Sequence, residues 1–150
     1  MAGQFGKAGG SADAGAELFT KHCAACHRLA ERGGLIGPQL DGIGQRGPER
    51  LLEDILDPSR NVDEAFRTTI ATLADGRVVA GLRLREEGTD VVFADATGKE
   101  VRVSKAEIDD MATSRTSPMP ANMIDQVGEA NLPHLLAYLL QQPTATKPGP

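Results

Sequence analysis

Five consecutive residues, Cys23-Ala24-Ala25-Cys26-His27, constrain this chain more than any other stretch. Two thiols spaced i, i+3 on one face of a helix can each form a thioether to a vinyl group of one porphyrin, and the imidazole that follows can face its metal. Cys-x-x-Cys-His is therefore expected to attach one c-type haem covalently, with His27 as the proximal ligand of its iron. Two other chemistries use Cys-x-x-Cys. A zinc site would want two more Cys or His ligands in a second cluster, whereas the chain has no third cysteine and, beyond His27, only His22 and His134. A thioredoxin-like dithiol would follow a buried strand, and this motif sits in a polar helical run.

A length of 150 residues fits one domain around one core. That core is poor in the usual large fillers, with no Trp, one Tyr and four Phe, so a flat apolar haem is expected at its centre. A formal net charge of -5 argues against a nucleic-acid partner, which needs a basic face. It favours a protein partner with a basic rim. No apolar run reaches the roughly eighteen residues of a membrane span. Residues 1–12 hold no apolar h-region and do not form a secretory signal. They and residues 143–150, rich in Gly, Thr and Pro, read as flexible ends around a domain at 13–142.

Along the chain, Asp13 is a candidate N-cap for a helix over Ala14–Leu29 that carries the pentapeptide near its end. Gly33, Gly34, Gly37, Pro38, Gly42, Gly44 and Gly47 make residues 30–48 irregular backbone able to approach a flat ligand. Pro48 suits the first turn of a helix to Leu56, striped with Leu51, Leu52, Ile55 and Leu56 and stopped by Asp57-Pro58. Between about 66 and 108 the period changes to two. Strands at 68–73, 77–84, 90–94 and 100–103 are expected as a four-stranded antiparallel meander, with turns at Asp75-Gly76 and Thr97-Gly98. A short helical or irregular stretch should follow Ser104–Glu107. Ser117-Pro118-Met119-Pro120 is a stiff loop, since both prolines restrict the backbone around Met119. Helices are expected near Ala121–Val127 and over Leu132–Gln141, the second with Leu135, Leu136, Leu139 and Leu140 along one side.

With these residues in order, the chain resembles the class I c-type cytochromes. The resemblance is carried by Cys23–His27, Gly37-Pro38-x-Leu40-x-Gly42, Met119-Pro120 and the terminal Leu-Leu-Ala-Tyr-Leu helix, over roughly residues 13–142. It implies a mainly α cytochrome c fold with an inserted small antiparallel β-sheet, an α+β arrangement of the kind found behind bacterial quinoprotein or propeller dehydrogenases. It also implies haem c with iron, His27 and Met119 as axial ligands, and the Pro38 carbonyl as acceptor for the second nitrogen of His27. Arg46 is implied as a propionate contact, and Gly15 and Phe19 as a packing pair against Tyr138. The bland readings stand beside these. Met119 could be a core filler with Met123 or Met111 in its place, Pro38 a simple turn proline, and Arg46 a solvated side chain. His22 and His134 read as surface and helix-entry residues.

The function implied is electron transfer rather than catalysis, from a dehydrogenase to a downstream acceptor. Because haem is attached to such proteins outside the cytoplasmic membrane, a periplasmic or otherwise exported setting is implied, with the export signal outside this sequence. The alternative is a peroxidase-like or gas-binding haem, which needs a displaceable distal ligand and a polar distal cluster that the sequence does not supply. A third reading makes the sheet a partner-binding module, although Arg83, Arg85, Glu86 and Glu87 are more simply a solvated face.

Overall fold

The first helix among the described residues, α1, spans Ala12–His22 and is capped by Ser11, whose Oγ accepts a hydrogen bond from the Ala14 N–H at 3.2 Å. Ser11, rather than the expected Asp13, is the N-cap, and Asp13 lies in the first turn where its charge favours the helix N-terminus. The computed structural model describes residues 10–142. The ends expected to be flexible at 1–9 and 143–150 lie outside these residues, but Gly10 to Ala12 are ordered. Ser11 N–H donates to His134 Nδ1 at 2.8 Å, and a Cβ on Gly10 would sit 2.2 Å from the Pro133 carbonyl oxygen.

Helix α1 ends seven residues earlier than its periodicity suggests, at His22 rather than Leu29. The Phe19 carbonyl accepts from both Cys23 N–H at 2.8 Å and Ala24 N–H at 2.9 Å. One acceptor serving two donors breaks the i→i−4 register, so the backbone leaves the helix as hydrogen-bonded turns.

The chain divides into two units, one made of the residues up to Asp57 and from Ala121 onward, the other of Pro58–Pro120. The first is helical. It contains α1, α2 (Gly47–Leu56), α3 (Met123–Val127) and α4 (Leu132–Leu140). Leu51, Leu52 and Ile55 are the buried stripe of α2. On α4 the stripe is Leu132, Leu135, Leu136 and Leu139, one turn earlier than expected, and Leu140 is half-buried. Each such leucine contributes about 1.5–3 kcal/mol by leaving water. Helices α1 and α4 meet at Gly15, where a Cβ would lie 2.0 Å from the His134 carbonyl oxygen and 2.7 Å from Tyr138 Cβ. Only a missing side chain permits that approach. One turn on, the Phe19 and Tyr138 rings stack tilted, with centroids 5.7 Å apart.

The second unit is an antiparallel sheet of five strands, β1 (Thr69–Leu73), β2 (Val78–Glu87), β3 (Asp90–Ala94), β4 (Glu100–Ser104) and β5 (Ile108–Thr113), in the order β4-β3-β2-β1-β5. The four expected strands are present. The fifth replaces the short helical or irregular stretch expected after Glu107. Ile108-Asp109-Asp110-Met111-Ala112-Thr113 has no apolar alternation because it is an edge strand with no fully buried residue. It exists through its pairing with β1, Ile70 opposite Ala112 and Thr72 opposite Asp110. Strand β2 is longer than expected, pairing with β1 over Val78–Gly81 and with β3 over Leu82–Glu87, and a register shift between Arg83 and Arg85 interrupts the second pairing. Ala71, Leu73, Val91, Phe93 and Val103 form the core of this unit, flanked by Val79, Val101 and Ile108. Asp95 closes the β3–β4 turn by accepting from Thr97 N–H, Thr97 Oγ1 and Lys99 N–H.

Candidate haem-attachment site

The pentapeptide follows α1 as a single turn in which His27 N–H donates to the Cys23 carbonyl at 2.9 Å. Spacing still brings both thiols and the imidazole to one short segment, though not on a continuous helix. The chain then doubles back. Leu29 and Arg32 bond each other's backbones at 2.8 and 3.1 Å, around Ala30 and Glu31, which hold φ of 52° and 65°. Two successive non-glycine residues in the left-handed region cost about 1–2 kcal/mol each. Asp41 supports the turn, its Oδ1 accepting from Ala30 N–H at 2.8 Å.

The returning segment is laced to the pentapeptide by backbone bonds. Gly34 N–H donates to Ala24 O at 2.8 Å, Gly37 N–H to Cys26 O at 2.7 Å, and Leu40 N–H to Arg28 O at 2.8 Å. This puts Pro38 beside the imidazole, with its carbonyl oxygen 2.8 Å from His27 Nδ1. A carbonyl can only accept, so Nδ1 carries the proton and Nε2 keeps the lone pair a metal needs. Gly37 lies against the ring itself. A Cβ there would be 2.7 Å from His27 Cε1 and 2.9 Å from Nδ1, so the ring orientation depends on a glycine that the sequence marks as a loop former and part of the family pattern but not as a neighbour of the ring.

Burial sets the protonation of the site. Desolvation lowers the His27 pKa below its ordinary value, partly opposed by the Pro38 carbonyl, which keeps the ring neutral and able to ligate. Burial, reinforced by neighbouring Cys26, pushes the Cys23 thiol up to about 12. A reactive dithiol or a zinc-binding pair needs the opposite shift toward thiolate. Both cysteines are thiols rather than halves of a disulfide. Among the described residues no group of three or more His, Cys, Asp or Glu side chains is placed to hold a metal ion.

The family model for cytochrome c matches residues 12–143. The chain belongs to the cytochrome c family. No curated protein is found that matches it. The matched span includes the sheet, and this is an α+β cytochrome c with four helices and a five-stranded antiparallel sheet among the described residues. Cytochromes c carry haem c covalently, with iron, and transfer electrons through it to and from redox partners. The residues fit that group: two cysteines on one turn, with burial keeping the Cys23 thiol protonated, and an imidazole whose Nε2 is left for iron.

The remaining candidates are held differently. Arg46 closes one edge of its guanidinium on Asp54, with Nε to Oδ2 at 2.7 Å and Nη2 to Oδ1 at 3.1 Å, so only its other edge is left for a propionate. Met119 lies half-buried in the proline-bracketed loop of the sheet unit. Its N–H donates to Ser117 Oγ at 3.1 Å, and Ser117 N–H in turn donates to Ser59 Oγ at 3.0 Å. Of its rivals, Met123 is buried at 4% exposure in the first turn of α3, whereas Met111 is 37% exposed on the edge strand. His22 is half-buried in the last turn of α1. His134 accepts the Ser11 N–H and serves as a tether for the entry to α1.

No helix among the described residues is long and apolar enough to cross a membrane.

Proposed function

We propose that this cytochrome is a one-electron carrier whose iron is held between His27 and Met119, taking electrons from a dehydrogenase and passing them on outside the cytoplasmic membrane. One observation carries the reading. The imidazole is fixed by the Pro38 carbonyl and the face of Gly37, the arrangement a permanent axial ligand needs so that little reorganisation accompanies electron transfer. Pro38 acts by holding the tautomer of His27. Met119 is favoured over Met123 because its loop is braced by two prolines and by the Ser59–Ser117 bond, whereas the Met123 side chain is packed into the helical core. When bound, the haem supplies the ferric–ferrous couple, and thioether sulfur opposite imidazole raises its potential. The parent dehydrogenase is proposed as a further domain or a separate protein, recognised through the acidic surface of this one.

The test is the ferric visible spectrum. A weak far-red charge-transfer band, the mark of thioether on iron, is expected, and Met119→Ala should abolish it. Survival of the band in that variant moves the ligand to Met123. High-spin ferric bands with rapid carbon monoxide binding in the unaltered protein would instead support a ligand-binding or peroxidase-like haem.

A further inference from the structure

One buried side-chain nitrogen among the described residues has no hydrogen-bond partner, and it is Arg67 Nε. A guanidinium N–H is a charged donor, and burying one without an acceptor is disfavoured unless an acceptor arrives. Arg46 has carboxylate oxygens on its fork already. Arg67 Nε does not.

The position of Arg67 narrows the choice of acceptor. It follows the short helical turn Glu64–Phe66 and immediately precedes Thr68, whose N–H donates to Thr116 O at 2.7 Å and whose carbonyl accepts from Ser114 N–H at 2.8 Å. Thr116 leads directly into Ser117-Pro118-Met119-Pro120, and Ser117 is tied back to Ser59. The unsatisfied donor and the Met119 loop are thus built at the same end of the sheet unit, on two hydrogen-bonded segments. We infer that Arg67 donates its Nε–H to a haem propionate carboxylate, making it, rather than Arg46, the positioning cation of the haem. This rests on Met119 as the iron ligand, which places the haem at that end of the sheet unit. The cofactor brings two carboxylates and no other strong acceptor, and a guanidinium forms the shorter, stronger bond to a carboxylate.

A cation paired with a propionate cancels a negative charge near the iron, which favours the ferrous state, and holds that propionate ionised. Arg67→Gln is therefore expected to lower the midpoint potential and to introduce a pH dependence of the potential near neutrality, with the far-red ferric band retained. Arg67→Lys, which keeps the charge but loses the fork, should fall between the two. Spectroelectrochemical titration across pH reads both effects. Potential and pH profile unchanged in Arg67→Gln, with the band intact, would overturn the assignment. A measurement on the unaltered holoprotein covers the case of a variant that does not fold. The Arg67 Nε–H resonance should exchange slowly and shift between ferric and ferrous forms. Exchange at the solvent rate in both forms would equally overturn it. Failure of the methionine reading shows separately, as survival of the far-red band in Met119→Ala.

Discussion

The two units of this cytochrome solve the problem of a stable interior in opposite ways. The sheet unit is filled by its own side chains, with Phe93, Val91 and Ala71 at 0%, 2% and 0% exposure. Its turns are closed by local side chains such as Asp95. The helical unit, by contrast, gathers glycines and close backbone approaches around the Cys23–His27 motif. Among the described residues its one aromatic pair is Phe19 with Tyr138. One unit is therefore expected to depend on haem for its fold, and the other to depend on it much less.

Blocking attachment should separate them most. With Cys23→Ser and Cys26→Ser, amide exchange should rise strongly through α1 and residues 23–41, while the amides of β1 to β4 keep their protection, because a ligand bound only by the folded state stabilises what it touches. Equal loss in both units would break the comparison. Phe93→Ala tests the other side. Emptying that core position should cost about 3–5 kcal/mol in the sheet unit, read by denaturant unfolding with strand amides as probes, and leave haem attachment intact. Gly15→Ala comes next. A Cβ only 2.0 Å from the His134 carbonyl should force α1 and α4 apart at about 1–3 kcal/mol, with the loss confined to the helical unit.

The smallest effect is electrostatic and belongs to the exposed face of the sheet. Glu86 is drawn below its usual pKa first by Lys105, and Glu87 and Glu100 first by Arg85. Their bridges cross from β2 to β4 and to Lys105. A carboxyl whose folded pKa lies below its ordinary 4.5 stabilises fully above that value and loses the contribution as pH falls through the lower, folded one. Melting of the sheet unit should thus decline modestly below about pH 4.5 and respond to salt. Acid sensitivity that appears first in helical-unit probes would contradict this.

Legibility in sequence follows the same division. Local chemistry was readable: the pentapeptide, the proline-led α2, the Asp75-Gly76 and Thr97-Gly98 turns and four alternating strands all announce themselves within a few residues. What escaped was set by particular hydrogen bonds and contacts, near and far, that leave no mark on the residue pattern. Strand β5 carries no pattern of its own because pairing with β1 creates it. The end of α1 depends on the Phe19 carbonyl serving two donors. Gly37 looks like any loop glycine until the imidazole is seen against it, and nothing adjacent to Arg67 marks its Nε as unsatisfied. The turn at Ala30-Glu31 carries no glycine or asparagine to signal left-handed backbone.

The hydrogen bond between His27 and Pro38 spans a sequence separation of 11, while the Ser11 bond to His134 that secures the start of α1 spans 123. Closing a loop of the first kind is fast and needs little of the chain. The cradle for the imidazole can therefore form during folding before α1 is secured to α4, so the cysteine turn can be in place to receive the haem ahead of the locked helical frame.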